Sequence, residues 1–408
     1  MLVMEFKAVL KEPQKLAINE AIRTARFIRN KVLRYWMDNR GIGKKELYRY
    51  NTQLRNDFKF VKDLNSHACQ ASVENVERAI KRFFDNCKKK VPGNKGYPRF
   101  KKYSRSVEYK QSGWKLSPDK KSINFIDKKG IGLVKLKGTW DLWRLDSAKP
   151  TLREQKLIKR IRIVQRADGY YIQFCVKIDN SEPLETTRYA LGLDVGLKEF
   201  YRDSDGYSEP NPRFYRKGEK RLKFYQRRVS RKKKGSANRK KAINRLGRHH
   251  LKISRQREEH AKRLARCVIQ SNDLVAYEDL RVKNLVKNHC LAKSINDAGW
   301  YKFRGWLEYF GQKFGRITVA VNPAYTSQNC SRCGEAVKKS LSTRTHVCKC
   351  GCKLDRDHNA AINILSRALS TVGHTGTFIN ARGESTSTLL GSDLVEQVGS
   401  LNRESPGF

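Results

Sequence analysis

The 408-residue chain carries 87 Lys and Arg against 40 Asp and Glu, a formal charge of +47. That much uncompensated charge repels itself and makes sense beside a polyanion, with nucleic acid the natural partner and salt-dependent binding the expected signature. A membrane partner is argued against by the lack of any apolar run long enough to span and of an amphipathic basic anchor.

The length predicts two or three domains. The amino terminus, Met1 to Phe6, has neither the apolar core nor the cleavage site of a secretory signal, so a soluble intracellular protein that handles nucleic acid is expected. Leu2 to Leu10 reads as a strand and gives way to helical patterns. From Ser72, the apolar residues Val73, Val76, Ile80, Phe83 and Phe84 recur at three and four, one packed helix face. A basic loop, Lys88 to Lys102, ends the helical block. From about Ser106 the period becomes two, and Ile158–Ala167 and Tyr170–Ile178 flank Asp168-Gly169 as a hairpin. Ile172, Phe174, Val176 and Ile178 face one way; Tyr171, Gln173, Cys175 and Lys177 face the other. These strands predict a small β-barrel or sandwich that starts at the amino terminus and has the helices inserted into it. The polar stretch Asn180 to Thr187 reads as a linker.

Tyr189 to Gly196 then reads as a buried strand carrying one acid, Asp194. Arg213 to Arg266 holds 23 Lys and Arg against Glu219, Glu258 and Glu259. Leu222, Tyr225 and Val229 keep helical spacing, as do Ile243, Leu246, His250 and Ile253, and Lys234-Gly235-Ser236-Ala237 interrupts them. A basic helical hairpin facing nucleic acid follows. Asp273 to Glu278 is a second strand, Trp300 to Phe314 a helix, Ile317 to Val321 a third strand and Asn359 to Leu369 a closing helix. Beyond Ser370 weak periodicity predicts a mobile tail.

Five of the ten cysteines fall within 23 residues. Cys330, Cys333, Cys348 and Cys350 have the spacing of a four-thiolate Zn²⁺ site, with Cys352 as an alternative to Cys350. Four thiolates leave no open position, so this zinc is structural. The other five, Cys69, Cys87, Cys175, Cys267 and Cys290, are scattered singly as buried reduced thiols would be. Three acids on separate elements, Asp194, Glu278 and Asp357, have the residue type that hydrolysis of a phosphodiester by two Mg²⁺ ions requires, because hard oxygen ligands suit Mg²⁺. Taken singly, each could instead cap a turn, form a salt bridge or stabilise a helix start. Asp279 and Asp355 are near neighbours that could exchange roles with them.

At these residues the chain resembles TnpB, the RNA-guided nuclease family of bacterial and archaeal insertion sequences, related to compact type V CRISPR effectors. Matching stretches are Gly192-Leu193-Asp194-Val195-Gly196, Asn211-Pro212-Arg213-Phe214 and Arg231 to Ser236. Tyr277-Glu278-Asp279-Leu280, Thr326 to Cys330 and Asp355 to Ala361 complete the set. Specific motifs cover Tyr189 to Ser370, whereas the amino-terminal half matches in general layout. The resemblance implies an α+β multidomain protein. Its RNase H-like (RuvC) nuclease domain would span 187–370, with Asp194, Glu278 and Asp357 as ligands of two Mg²⁺ ions and a zinc-binding insertion at about 322–354. Residues 1–186 would form a wedge β-barrel with a helical recognition lobe inserted at about 13–105, and 371–408 the tail. It further implies a guide RNA, double- and single-stranded target DNA, and cutting next to a short flanking motif.

Two other readings compete. An RNA-guided repressor without cleavage would lack a catalytic acid, and none is missing. A transposase or accessory role in transposition fits less well, since a DDE enzyme orders its acids Asp, Asp, Glu, and a single-strand tyrosine transposase needs a His-x-His pair that the chain lacks.

Overall fold

A computed structural model describes residues 2–39, 41–110, 112–139, 142, 157–178, 180–340, 343–372, 378–379 and 385–386. The chain divides into two units, Met1–Asp179 and Asn180–Phe408. The tail expected from residue 371 lies almost wholly outside the described residues.

In the first unit, strand β1 (Leu2–Val9) precedes four helices: α1 (Glu12–Asp38), α2 (Lys44–Asp57), α3 (Lys59–Lys62) and α4 (Ser66–Lys88). Strands β2 (Ser106–Tyr109), β3 (Trp114–Leu116), β4 (Ser122–Phe125), β5 (Gly132–Lys137), β6 (Ile158–Arg166) and β7 (Gly169–Val176) follow. On α1 the buried residues Ile18, Ala21, Ile22, Ala25, Ile28 and Val32 recur at three and four, which turns one face of 27 residues onto the sheet. Val73 and Val76 of α4 are fully buried in the same core, whereas Phe84 is 48% exposed. The apolar face ends there because Phe83 and Phe84 turn aside to Tyr97 and Trp36. Tyr97 lies in the basic loop, whose backbone is also tied to α1 through Asn30 and Lys101.

The strands make one antiparallel sheet in the order β2-β6-β7-β1-β5-β4-β3, so the amino-terminal strand sits in its centre. The expected barrel is not found: among the described residues no ladder joins β2 to β3, and the sheet stays open. Its edges are strands of four and three residues, too short to extend the pairing round to closure. The hairpin is present but its turn is shifted by one residue. Gly169 pairs with Arg166 at φ +137, a conformation open to glycine, and Ala167-Asp168 form the turn. The alternation in β7 is as expected, with Ile172, Phe174 and Val176 fully buried; Tyr171 and Cys175 on the other face are also covered.

The second unit begins with an irregular stretch, Asn180 to Thr187, tethered by Glu182 N–H to the Lys313 carbonyl and by Thr187 N–H to Asp273. Strands β8 (Ala190–Val195), β9 (Glu199–Asp203) and β10 (Ser208–Pro210) lead to helices α5 (Phe214–Ser230) and α6 (Ala237–Ser271). Then come β11 (Leu274–Glu278), α7 (Val282–Leu285), α8 (His289–Ala298), α9 (Trp300–Phe314) and β12 (Ile317–Val321). Short strands β13 (Thr345–Val347) and β14 (Lys353–Asp355) precede α10 (Arg356–Val372). The main sheet has the order β10-β9-β8-β11-β12, with β8, β11 and β12 parallel and β9 antiparallel to β8. Strand alternation sorts its two faces. Leu191, Leu193, Val275 and Tyr277 pack with residues of α6 and α9, such as Ala265, Ile269, Phe303 and Leu307. Ala190, Leu274 and Ala276 pack with Ile364 and Ala368 of α10.

The basic segment folds as the predicted hairpin, closed by Arg239, whose guanidinium donates to the Val229 and Lys232 carbonyls. Leu222, Val229 and Ile253 are buried, but Ile243 near the hairpin's turn is 48% exposed. Cys267 and Cys290 are also exposed, contrary to the expectation of buried thiols, because they lie on outward faces of α6 and α8. No helix among the described residues is long and apolar enough to cross a membrane.

Candidate active site and cysteine cluster

The even-numbered residues of β8 and β11 face α10, and this carries Asp194 and Glu278 to the helix side of the sheet. The parallel register pairs Tyr277 with Leu193, and one further step sets Glu278 beside Asp194 at the carboxyl ends of adjacent strands. Open α/β sheets bind ligands at such ends. α10 comes close because position 192 is glycine: a Cβ there would stand 2.2 Å from the Ala361 carbonyl oxygen. The same helix brings Asp357, in its first turn, to this side.

Burial, then the negative charges of Glu278 and Asp357, hold the Asp194 carboxyl well above the usual carboxylate range, with Arg356 acting in the opposite sense. Burial also raises Glu278, opposed by a hydrogen bond from Thr326 and the charge of Arg367. Asp357 receives Arg356 Nε at 3.0 Å and Arg344 at 3.5 Å. Its neighbour Asp355 does something different. Asp355 Oδ1 accepts the backbone N–H groups of Asp357 (2.9 Å) and His358 (3.3 Å), capping α10, and lies 3.5 Å from Arg202. Asp279 is turned to Arg304 of α9, and its side chain is 57% exposed.

The cysteines form a separate cluster. The Sγ atoms of Cys330, Cys333, Cys348 and Cys350 all lie within 4.8 Å of one another, with Cys330–Cys350 at 3.7 Å and Cys333–Cys348 at 3.5 Å. A tetrahedral Zn²⁺ with Zn–S bonds of about 2.3 Å needs sulfurs roughly 3.8 Å apart, so the donor set fits this ion. Electrostatics agree. Burial opposes ionisation of Cys330, yet amides of Cys333 and Arg332 and the side chain of His346 bring it down to about 5. The Glu335 amide favours the Cys333 thiolate, but its sulfur neighbours Cys350 and Cys348 push it up to about 12. Four thiolates need a cation to coexist. Cys352 is buried beneath the cluster with Cys330 and Cys348, outside the four-sulfur set.

Residue-by-residue reading of the sequence left several polar partners without a role. Asn359, Asn363 and Arg367 recur every four residues along α10 and hold the chain leading into the cluster. Asn359 Nδ2 donates to the Asn329 carbonyl (2.8 Å), Asn363 Nδ2 to the Thr326 carbonyl (2.8 Å) and Arg367 to the Asn322 carbonyl (2.8 Å). The signal was a polar stripe at helical spacing on an otherwise apolar helix.

Residues 173–289 match the OrfB_IS605 family, described as "Probable transposase", and residues 300–364 match "Cas12f1-like, TNB domain". A "Putative RNA-guided DNA endonuclease" of Streptomyces pristinaespiralis is 33% identical over 317 residues, covering 76% of this chain and 73% of the relative. The "Putative RNA-guided DNA endonuclease InsQ" of Escherichia coli (strain K12) is 29% identical over 366 residues, covering 84% and 86%. The fold is similar to that in a cryo-EM structure of a "Cas12f1-sgRNA-target DNA complex", with a TM-score of 0.52, 16% identity and coverage of 87% and 83%. The four-cysteine cluster, the mixed sheet with its acids and the extent of these matches lead to one assignment: the chain belongs to the TnpB (OrfB, IS605) family and has a mixed α/β, Cas12f-like fold.

Proposed function

We propose that the chain is an RNA-guided DNA endonuclease with an RNase H-like (RuvC) site made by Asp194, Glu278 and Asp357. The carrying observation is that two parallel strand ends and the start of one helix bring these acids to one side of one sheet, where Asp194 feels the charge of the other two. Numbered within this sheet, the strands run third, second, first, fourth, fifth, and the acids sit on the first and at the end of the fourth, which supports the RNase H-like reading. Carboxylates that repel one another and are partly buried suit divalent cations.

When bound, two Mg²⁺ ions supply a nucleophilic water and neutralise charge on the leaving oxygen. The protein's part is to hold the ligands still. Asp194 and Glu278 are fixed by a backbone ladder, and Asp357 by a helix that Asp355 caps. The four cysteines hold one structural Zn²⁺ within the insertion at about 322–354. A guide RNA pairs with the target strand while protein contacts read a short flanking motif in the duplex, the division of labour known for CRISPR effectors. In this reading residues 187–370 form the nuclease domain and residues 1–186 a wedge-type sheet with recognition helices at about 13–105. The α5–α6 hairpin offers a cavity of about 240 Å³ lined by Tyr225, Arg228, Lys232, Asn238, Lys241 and Arg245, a run of cations without an acid, to a phosphate backbone.

The test is to purify the chain with its co-purifying RNA, sequence that RNA, and challenge the complex with DNA carrying the complementary site. Guided cutting that Asp194→Ala abolishes while RNA binding persists is expected. Recovery of no discrete RNA, or undiminished cutting by the variant, would overturn the proposal.

A further inference from the structure

We infer that Thr326 is a positioning residue for Glu278, and that α10 thereby couples the cysteine cluster to the acid site. This rests on the nuclease reading above. Thr326 is 3% exposed, and its hydroxyl lies 2.6 Å from Glu278 Oε1. A carboxylate held by one oxygen has its rotation fixed, which leaves Oε2 available to a cation. The hydroxyl also lies 3.1 Å from the Pro323 carbonyl, but it has one proton, and the shorter contact to the charged acceptor is the stronger.

What holds Thr326 is the polar stripe of α10. Asn363 donates to the carbonyls of Thr326 (2.8 Å) and Asn329 (2.7 Å). Asn359, fully buried, donates to the Asn329 carbonyl and accepts the Ser331 N–H at 2.9 Å, one residue beyond Cys330. Arg367 takes the carbonyls of Asn322 and Ala324. Three side chains one turn apart thus lay residues 322–331 along the helix that carries Asp357 in its first turn. Through Thr326 that helix fixes a second acid, on β11, which it does not itself carry. Glu278 and Asp357 are therefore referred to one rigid element, with the cysteine cluster attached through Asn359 at the end that carries Asp357.

Thr326→Val removes the hydroxyl at constant shape, Thr326→Ala removes it in a smaller side chain, and Thr326→Ser keeps it. The full chain with its co-purified RNA is titrated with Mn²⁺ by electron paramagnetic resonance, and DNA cutting is followed against Mg²⁺ concentration. Thr326→Val and Thr326→Ala are expected to weaken Mn²⁺ binding, and to raise the Mg²⁺ needed for half-maximal cutting, by about tenfold or more, with zinc content unchanged. Thr326→Ser restores both. Wild-type titrations for Thr326→Val and Thr326→Ala, or a Thr326→Ser variant as impaired as they are, overturn the inference. Glu278→Gln separates the two levels. If it binds Mn²⁺ and cuts as wild type does, the acid-site reading falls and the positioning role with it. If it is impaired while Thr326→Val is not, the positioning role alone falls.

Discussion

Gly192 of β8 and Ala361 of α10 approach so closely that a β-carbon on the glycine would meet the Ala361 carbonyl oxygen at 2.2 Å and Leu365 N at 2.9 Å. Both obstacles are backbone, so no rotamer change relieves them. Gly192→Ala must push α10, and Asp357 with it, away from Asp194. We expect a loss of about 1–3 kcal/mol of stability, the usual cost of overpacking, together with a larger loss of DNA cutting. Thermal denaturation and cutting assays on the same preparation check this. A variant that cuts normally would show that the close approach does not set the acid geometry.

Asp355 and Asp357 are two residues apart in sequence but divide their work. Asp355→Ala is expected to cost about 1 kcal/mol through the lost helix cap and to leave Mn²⁺ affinity nearly unchanged. Asp357→Asn should do the reverse: little change in melting temperature and no cutting. Calorimetry paired with a metal titration reads both, and loss of metal affinity in Asp355→Ala alone would exchange the two assignments.

The elements that position the site were legible because their signals are local. Buried strands were read at β8 and β11, and Trp300–Phe314 and Ile317–Val321 were found with both ends in place. Asp168-Gly169 misled by one residue, since the pair matches a common two-residue turn, yet Gly169 joins the ladder instead. Whether the amino-terminal sheet closes depends on pairing between strands far apart in sequence, which no local period encodes. The role of Thr326 was hidden for a related reason: Asn363 holds it through a backbone carbonyl, and carbonyls leave no trace in side-chain patterning. Glu278 as a strand-end acid was legible; what orients it was not.

Cys350 and Cys352 are separated by one glycine, but only Cys350 belongs to the four-sulfur set. Cys350→Ser is expected to lose the single zinc and Cys352→Ser to keep it, by metal analysis of the purified chain. Because Asn359 and Asn363 tie this region to α10, zinc loss should also lower cutting, whereas RNA binding should survive. Retention of one zinc per chain by Cys350→Ser would contradict the assignment.

Among the described residues no ion pair joins Arg228, Lys241 or Arg245 to the acids of their own segment. Glu219 is engaged by Lys223 and Lys293, and Glu258 by Lys302 and Trp306. Replacing Arg228, Lys241 and Arg245 together by Gln should therefore weaken nucleic-acid binding without disturbing the fold. The slope of log affinity against log salt should become shallower by about 2–3, near one per lost phosphate contact. An unchanged slope would remove the hairpin from the binding surface.

Glu108 of β2 is 8% exposed, and Arg160 and Arg162 of β6 donate to it, while Arg160 also reaches Glu74 of α4 at 2.9 Å. Burial alone would raise both carboxyls, but the arginines, and Lys110 at Glu74, outweigh it and hold both below the usual carboxylate range. A carboxyl depressed by folding stabilises above its unfolded pKa, and that contribution is lost as pH falls through the folded one. The first unit should therefore be steady above about pH 4.5 and lose stability progressively below it. Glu108→Gln removes the carboxylate that Arg160 and Arg162 share and is expected to cost about 2 kcal/mol at neutral pH, with a weaker dependence on acid. Melting curves from pH 7 to pH 3 decide this, and parallel acid limbs for wild type and variant would show that the network does not bear on stability.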